Sequence, residues 1–173
     1  FSYGDYLRTG AIARFSPIMN SLIDESKKGK IIIGICKGFQ ILLECGLLPG
    51  ALINNKNLKF ISKQVTLISP STDSIFTRKI NSNDELKMPI AHKQGNYIAD
   101  KETLLELENS NRIAFKYKVD KSNKNPNGSM NDIAGILNEN KNVLGMMPHP
   151  ERACENILGS RDGMKIFNSI LNV

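Results

Sequence analysis

The chain has 173 residues, of which 40% are hydrophobic and 23% charged, with 23 Lys and Arg against 17 Asp and Glu for a formal net charge of +6. This length suits one globular domain, and the balance excludes disordered and membrane-spanning classes, since no run approaches the ~20 apolar residues a membrane helix requires. The basic excess is scattered rather than gathered into a stripe with stacking aromatics, so neither nucleic acid nor membrane is expected as a partner, although a basic face could meet an acidic protein subunit.

In chain order, residues 1–10 read as a loop, followed by a helix over residues 11–23 in which Pro17 must occupy a first turn or cause a kink. Residues 30–35 (KIIIGI) form a short β-branched run suited to a strand buried on both faces. Residues 38–44 continue as a helix, stopped by Gly46 and Pro49-Gly50. Alternation over residues 60–68 and 86–91 predicts two strands, the second ending at His92. Residues 103–107 suit a short helix and residues 113–119 an antiparallel strand. The polar stretch 120–132 (DKSNKNPNGSMND) is a loop by composition. Two strands, 133–137 and 143–147, follow. Last comes a helix capped by Asp162, with Met164, Phe167 and Leu171 on one stripe and Ile166 and Ile170 beside it.

The three cysteines, Cys36, Cys45 and Cys154, are odd in number and lack metal-ligand spacing. Neither a disulfide framework nor a metal site is expected, and reduced thiols fit a cytoplasmic protein; with no basic-then-apolar leader and small-residue cleavage site recognised, secretion is not expected.

Gly34-Ile35-Cys36-Lys37-Gly38 has the spacing of a nucleophile elbow, in which a strand turns sharply into a helix with the nucleophile at its tip. Gly34 and Gly38 would remove side chains where strand and helix nearly touch. The helix N-terminus would favour a Cys36 thiolate, and the Lys37 N–H would point at the space above the sulfur as an oxyanion donor. Taken alone, the pentapeptide weighs evenly between a nucleophile and a small residue closing a core strand. The apolar strand before it and the helix after it favour the nucleophile.

A cysteine that performs acyl transfer needs a base, and there are two histidines. His149 lies in Met147-Pro148-His149-Pro150-Glu151, where the prolines impose extended backbone and bring Glu151 to the same side as the imidazole. The expected triad is Cys36, His149 and Glu151. His92 has no carboxylate close in sequence and is the weaker base candidate.

The segment GICKGFQ at residues 34–40 followed by PHPE at 148–151 resembles the paired signature of class I glutamine amidotransferases. More narrowly, FSYGDYLR at 1–8, PIAH at 89–92, GNY at 95–97, NPNGS at 125–129 and GMMPHPERA at 145–153 are similar to the glutaminase subunits of phosphoribosylformylglycinamidine synthases. The resemblance implies an α/β fold with a doubly wound, mostly parallel, flavodoxin-like sheet. It also implies hydrolysis of glutamine, with Gln40, His92, Gly95, Asn96 and Tyr97 positioning the substrate's α-amino and carboxylate groups. The ammonia would pass to a synthetase subunit, with or without a small accessory subunit, that aminates formylglycinamide ribonucleotide in purine biosynthesis. No cofactor is expected in this chain; ATP and Mg²⁺ would belong to the synthetase.

Family members usually carry Asn where Lys37 stands. They also have an opening strand–helix–strand portion and a Gly-Gly pair ahead of the position of Phe1, so residues 1–173 are expected to form one amidotransferase domain lacking its N-terminal strands. Tyr3, Asp5, Arg8 and the 125–129 loop suit either a partner interface or fold-specific turns. Two other readings stand beside the glutaminase: a noncatalytic scaffold keeping only the synthetase-binding surface, and a different cysteine hydrolase, such as a peptidase, on the same fold.

Overall fold

The computed structural model describes residue 10 and residues 12–171. Its main sheet has six strands: β1 (Ile32–Ile35), β3 (Ile61–Ile68), β4 (Leu86–His92), β6 (Ile113–Tyr117), β7 (Ile133–Leu137) and β8 (Val143–Met146), in the order β1-β8-β7-β6-β3-β4. A separate two-stranded ribbon pairs β2 (Ala51–Asn54) with β5 (Gln94–Ile98). The helices are α1 (Pro17–Lys27), α2 (Lys37–Glu44), α3 (Lys101–Asn109) and α4 (Met164–Leu171).

Alternation along the strands sends side chains to two cores. Leu144, Leu137 and Ala134 join Leu67, Phe115, Met88 and Ile90 on one face, which Ile166 of α4 covers. Their neighbours Val143, Ile136 and Ile133 join Phe39, Leu42 and Leu43 of α2 and Leu107 of α3 on the other. Helices therefore lie on both faces, as the α/β reading requires. The mostly parallel pairing expected of the sheet is confined, among the described residues, to β1 with β8; every other ladder is antiparallel. Connections explain this. A parallel neighbour needs a crossover of a dozen or more residues, whereas the five-residue turn over 138–142, closed by the Asn138 N–H on the Val143 carbonyl, returns β8 directly alongside β7.

Several boundaries move for identifiable reasons. Pro17 begins α1 rather than kinking a longer helix, because its missing N–H and fixed φ cost nothing at the first helical position. Ile12, Phe15 and Ile18 are exposed, and Met19 is the apolar residue α1 buries fully. The carboxylate of Asp162 does not cap α4; it accepts the Lys87 N–H at 2.8 Å and ties α4 to β4. The buried face of α4 runs through Ile166 and Ser169, not through Leu171, which is exposed. Asp100, unremarked in sequence, caps α3 by accepting the Thr103 N–H at 2.7 Å. No described helix is long and apolar enough to cross a membrane.

Candidate functional site

Cys36 follows the last residue of β1 and precedes the first residue of α2. Its backbone has φ 53° and ψ −105°, a conformation that non-glycine residues adopt only under constraint. Two neighbours supply the constraint. The Cys36 N–H donates to the carbonyl of Met146 at 2.8 Å, continuing the β1–β8 ladder, while its own carbonyl accepts from Gln40 inside α2. Strand pairing and helix closure thus meet at one residue, and the elbow is their product.

The glycines of the elbow divide the work unequally. A Cβ on Gly34 would lie 2.4 Å from Cδ1 of Leu42 and 2.7 Å from the carbonyl oxygen of Gly38, so strand and helix do touch there. A Cβ on Gly38 would meet nothing within 4 Å. The expectation that both glycines relieve a clash holds for Gly34 only; at Gly38 it is the backbone that makes the close approach. Gly145 of β8 is a third, unanticipated close contact, where a Cβ would stand 2.2 Å from the Phe39 ring of α2.

β8 pairs with β1 in parallel, so the chains leaving both strands emerge at the same end of the sheet. Met147 and Pro148 lead to His149, which is 2% exposed. The His149 N–H donates to the carbonyl of Pro89 at 2.9 Å, and the Cys36 sulfur lies 3.8 Å from the carbonyl of Ala91. Pro89 and Ala91 are two residues apart on β4, about 7 Å at strand rise. One edge of β4 therefore anchors both, and the curl of the sheet brings that edge across the ends of β1 and β8.

Nδ1 of His149 lies 2.6 Å from Oε1 of Glu151, on the short 3-10 turn Pro150–Arg152. Burial alone would raise the Glu151 carboxyl. The hydrogen bond and the charge of His149 outweigh it and hold the carboxyl below its usual value. An ionised Glu151 keeps the imidazole proton on Nδ1 and leaves Nε2 as the acceptor nitrogen. The spacing that suggested the pair is what produces it, since the intervening proline fixes the turn.

His92 ends β4, fully buried, and is a neighbour of His149 rather than its rival. Its Nδ1 lies 3.0 Å from Oδ1 of Asn55, and that oxygen also accepts the Gly95 N–H at 3.2 Å. An oxygen already accepting takes a second donor, so Nδ1 of His92 carries the proton and Nε2 is a bare acceptor. Desolvation, with the charge of nearby His149, lowers the His92 pKa to about 4, so the ring is neutral at physiological pH. A Cβ on Gly95 would sit 2.3 Å from Cε1 of His92; glycine there lets the strand lie flat on the imidazole.

The remaining expected residues are not gathered at one point. Gly95 lies against the His92 ring, Gln40 sits in the first turn of α2, and Asn96 turns toward the 125–129 loop, where a Cβ on Gly128 would lie 3.3 Å from its Nδ2; its Oδ1 is buried without a hydrogen-bond partner among the described residues. The Tyr97 ring lies elsewhere. It stacks on Phe39 with centroids 6.0 Å apart and donates its hydroxyl to the carbonyl of Pro49 at 2.8 Å, so its side chain belongs to the core. Lys37 is the first residue of α2, where the N–H points out of the helix end as the oxyanion reading asks.

The 125–129 loop makes the internal contacts of a fold-specific turn. Asn127 donates to the carbonyl of Gly95 at 2.7 Å and to the hydroxyl of Tyr117 at 3.1 Å, while the Ser129 hydroxyl donates to the same Gly95 carbonyl at 3.2 Å and accepts from the Tyr97 N–H. The loop is thus a brace behind β5. Tyr117 sits close enough to Cys36 that a thiolate there adds to the effect of burial in raising its phenol. Sequence reasoning passed over Asn55, Asn127 and Tyr117 as site supports; no local spacing announces a buried asparagine whose partners lie 32–40 residues away. Tyr3, Asp5 and Arg8 lie outside the described residues.

Comparison with known proteins agrees with this geometry. Residues 1–168 match the family model of the CobB/CobQ-like glutamine amidotransferase domain. Over 171 residues the chain is 52% identical to the phosphoribosylformylglycinamidine synthase subunit PurQ of Trichormus variabilis, covering 99% of this chain and 75% of that one. The PurQ subunit of a Nostoc species matches to the same extent. Among solved structures, PurLQS from Thermotoga maritima superimposes with a TM-score of 0.86 at 45% identity, over 99% of this chain and 75% of its counterpart. The chain belongs to the class I glutamine amidotransferase family, among the PurQ subunits of phosphoribosylformylglycinamidine synthase.

Proposed function

We propose that this chain hydrolyses glutamine through Cys36, His149 and Glu151 and delivers the ammonia to a synthetase subunit, as the glutaminase half of a phosphoribosylformylglycinamidine synthase. The observation that carries the reading is the shared exit of β1 and β8. It puts a constrained cysteine and a carboxylate-held histidine at one end of the sheet, both hung on the same edge of β4.

The chemistry follows from these groups. His149 Nε2 takes the Cys36 proton, and the thiolate attacks the side-chain carbonyl carbon of glutamine. The Lys37 N–H steadies the oxyanion. The imidazolium, stabilised by Glu151, returns its proton to the departing nitrogen, so ammonia leaves as a neutral molecule and a thioester remains. Water, deprotonated by His149, attacks the thioester and releases glutamate. Gln40, His92, Gly95 and Asn96 position the substrate's α-amino and carboxylate groups, while Tyr97 contributes by anchoring β5 in the core.

Ammonia released to water is lost to the acceptor substrate, which favours a docked partner. The solved relative is a PurLQS assembly, and this supports a synthetase subunit as that partner. ATP and Mg²⁺ are assigned to the synthetase and none to this chain. The test is glutamate release from glutamine by the wild-type chain with its synthetase subunit and by Cys36→Ala. Turnover that disappears in the variant is expected; turnover that persists rejects the mechanism, and none in a correctly assembled wild type would favour a noncatalytic scaffold.

A further inference from the structure

The side chain that follows the nucleophile is buried, and the elbow alone does not require it to be. Lys37 is 5% exposed, and an ammonium is costly to bury without oxygen partners. It has them: Nζ donates to Oε1 of Gln40 at 2.9 Å, one turn along α2, and to Oε1 of Gln94 at 3.1 Å, the first residue of β5. An ammonium carries donors and no acceptor, so it engages only the oxygen end of each carboxamide. Both Nε2 ends are thereby turned away from it. Gln40 is itself 3% exposed and confined on another side by Gly10, where a Cβ would lie 2.8 Å from Cγ of Gln40. One buried charge ties the start of α2 to the β4–β5 corner and removes the freedom of two amides to flip.

We propose that Lys37 is a positioning residue for glutamine recognition, holding Gln40 and Gln94 in the amide orientation that offers N–H donors to the substrate's anionic α-carboxylate. The proposal rests on the glutaminase reading and extends it, because the role falls on the Lys37 side chain and not on the backbone N–H that stabilises the oxyanion. A neutral amide with its oxygen free could turn either end to a ligand. Clasped by an ammonium, it presents donors, and these suit a carboxylate better than they suit the α-ammonium group. Gln94 enters the site by this route alone.

The experiment is glutamine hydrolysis by the full chain assembled with the synthetase subunit, for Lys37→Met, Gln94→Leu and the double variant. Lys37→Met should raise the KM for glutamine about tenfold, the worth of a charge-assisted contact, with kcat within about threefold of wild type. The double variant should match Lys37→Met, because both changes break one clasp and their effects are not additive. Alkylation of Cys36 by iodoacetamide, which needs the sulfur and no α-carboxylate, should keep its wild-type rate. An unmoved KM, additive effects, or iodoacetamide reactivity falling in step with kcat/KM would each overturn the proposal, the last by assigning the charge to the sulfur. A lowered melting temperature with KM unchanged would make Lys37 a structural strut and also overturn it. Should Lys37→Met fail to fold, Gln94→Leu and Gln94→Glu, which both lack the amide donor, should each raise the KM, the Glu variant more because its charge also repels the α-carboxylate; a wild-type KM in either would overturn the proposal. Turnover remaining in Cys36→Ala would reject the nucleophile, an outcome distinct from all of these.

Discussion

His149 and Glu151 are separated by one proline and joined by a hydrogen bond of 2.6 Å, with the imidazole 3% and the carboxylate 29% exposed at the side chain. The pair is unequal: the ring is buried and the carboxylate partly wet, which under the proposed mechanism suits the ring to proton transfer and the carboxylate to holding it. Arg152 approaches the same carboxylate oxygen at 3.7 Å and adds to its ionised character.

Replacing Glu151 by Gln keeps an oxygen within reach of Nδ1 but removes the charge that stabilises the imidazolium. Turnover of glutamine is expected to fall on the order of 10²–10⁴-fold with KM changed far less, since the loss appears only as the proton moves. Steady-state glutamate release measures it. Retention of a third of wild-type kcat would remove Glu151 from the mechanism.

The neutral state of His92 has a consequence for acid stability. Its folded pKa, about 4, lies below its ordinary value of 6.5, so between those limits the unfolded chain binds more protons than the folded one. The stabilising contribution is complete above pH 6.5 and is lost as pH falls toward 4, about 3 kcal/mol in all at 1.36 kcal/mol per unit. Urea unfolding at pH 7.5, 6 and 5 should show this loss in wild type and a shallower one in His92→Gln, whose amide can still donate to Asn55. Parallel pH profiles for the two proteins would contradict the account.

Thiol chemistry should single out one cysteine of three. Burial raises the thiol of Cys45, and burial together with the carboxylates of Glu151 and Glu155 raises that of Cys154, so both stay protonated at neutral pH. A glutamine-mimicking alkylator at pH 7.5 is expected to label Cys36 at least tenfold faster than either of them, because only the thiolate reacts. Peptide mapping reads the result, and preferential labelling of Cys45 or Cys154 would count against the elbow.

Much of this site could be read in the sequence because its key parts are local. The elbow is five consecutive residues, and His149 and Glu151 are two apart, so the backbone conformations that create them are written in neighbouring glycines and prolines. The central strands were likewise visible: β7 falls on 133–137 as alternation and turn residues predict, and β3 and β8 fall within one residue of their predicted limits. What stayed hidden depends on pairing at a distance. β2 is only four residues long and β5 carries Gln94, Gly95 and Asn96, so neither shows a strand pattern of its own and the two acquire strand geometry by pairing with each other. Gln40, Gln94 and Lys37 likewise meet through folding, since no local pattern says that a lysine will be buried between two amides. The run at residues 30–35, read as a parallel strand, does pair in parallel with β8, whereas the mostly parallel sheet implied by the resemblance is not matched by the other ladders of the described residues, because strand direction depends on connections that apolar patterning does not record.

The two elbow glycines offer a decisive comparison, because the sequence treats them alike and the structure does not. An alanine at Gly34 would drive its methyl into Leu42, which could move, and into the Gly38 carbonyl, which could not without opening the strand-to-helix contact. Overpacking against backbone should cost about 2–3 kcal/mol and lower the melting temperature by roughly 5–10 °C. An alanine at Gly38 enters open space on a helical backbone, since Gly38 is absent from the residues with positive φ. Relieving the entropic penalty of a helical glycine should therefore leave stability unchanged or raise it by up to about 1 kcal/mol. Calorimetric melting of Gly34→Ala and Gly38→Ala side by side decides the matter. Equal destabilisation would mean that strand and helix approach one another differently from the arrangement described, and that the constraint on Cys36 has another origin.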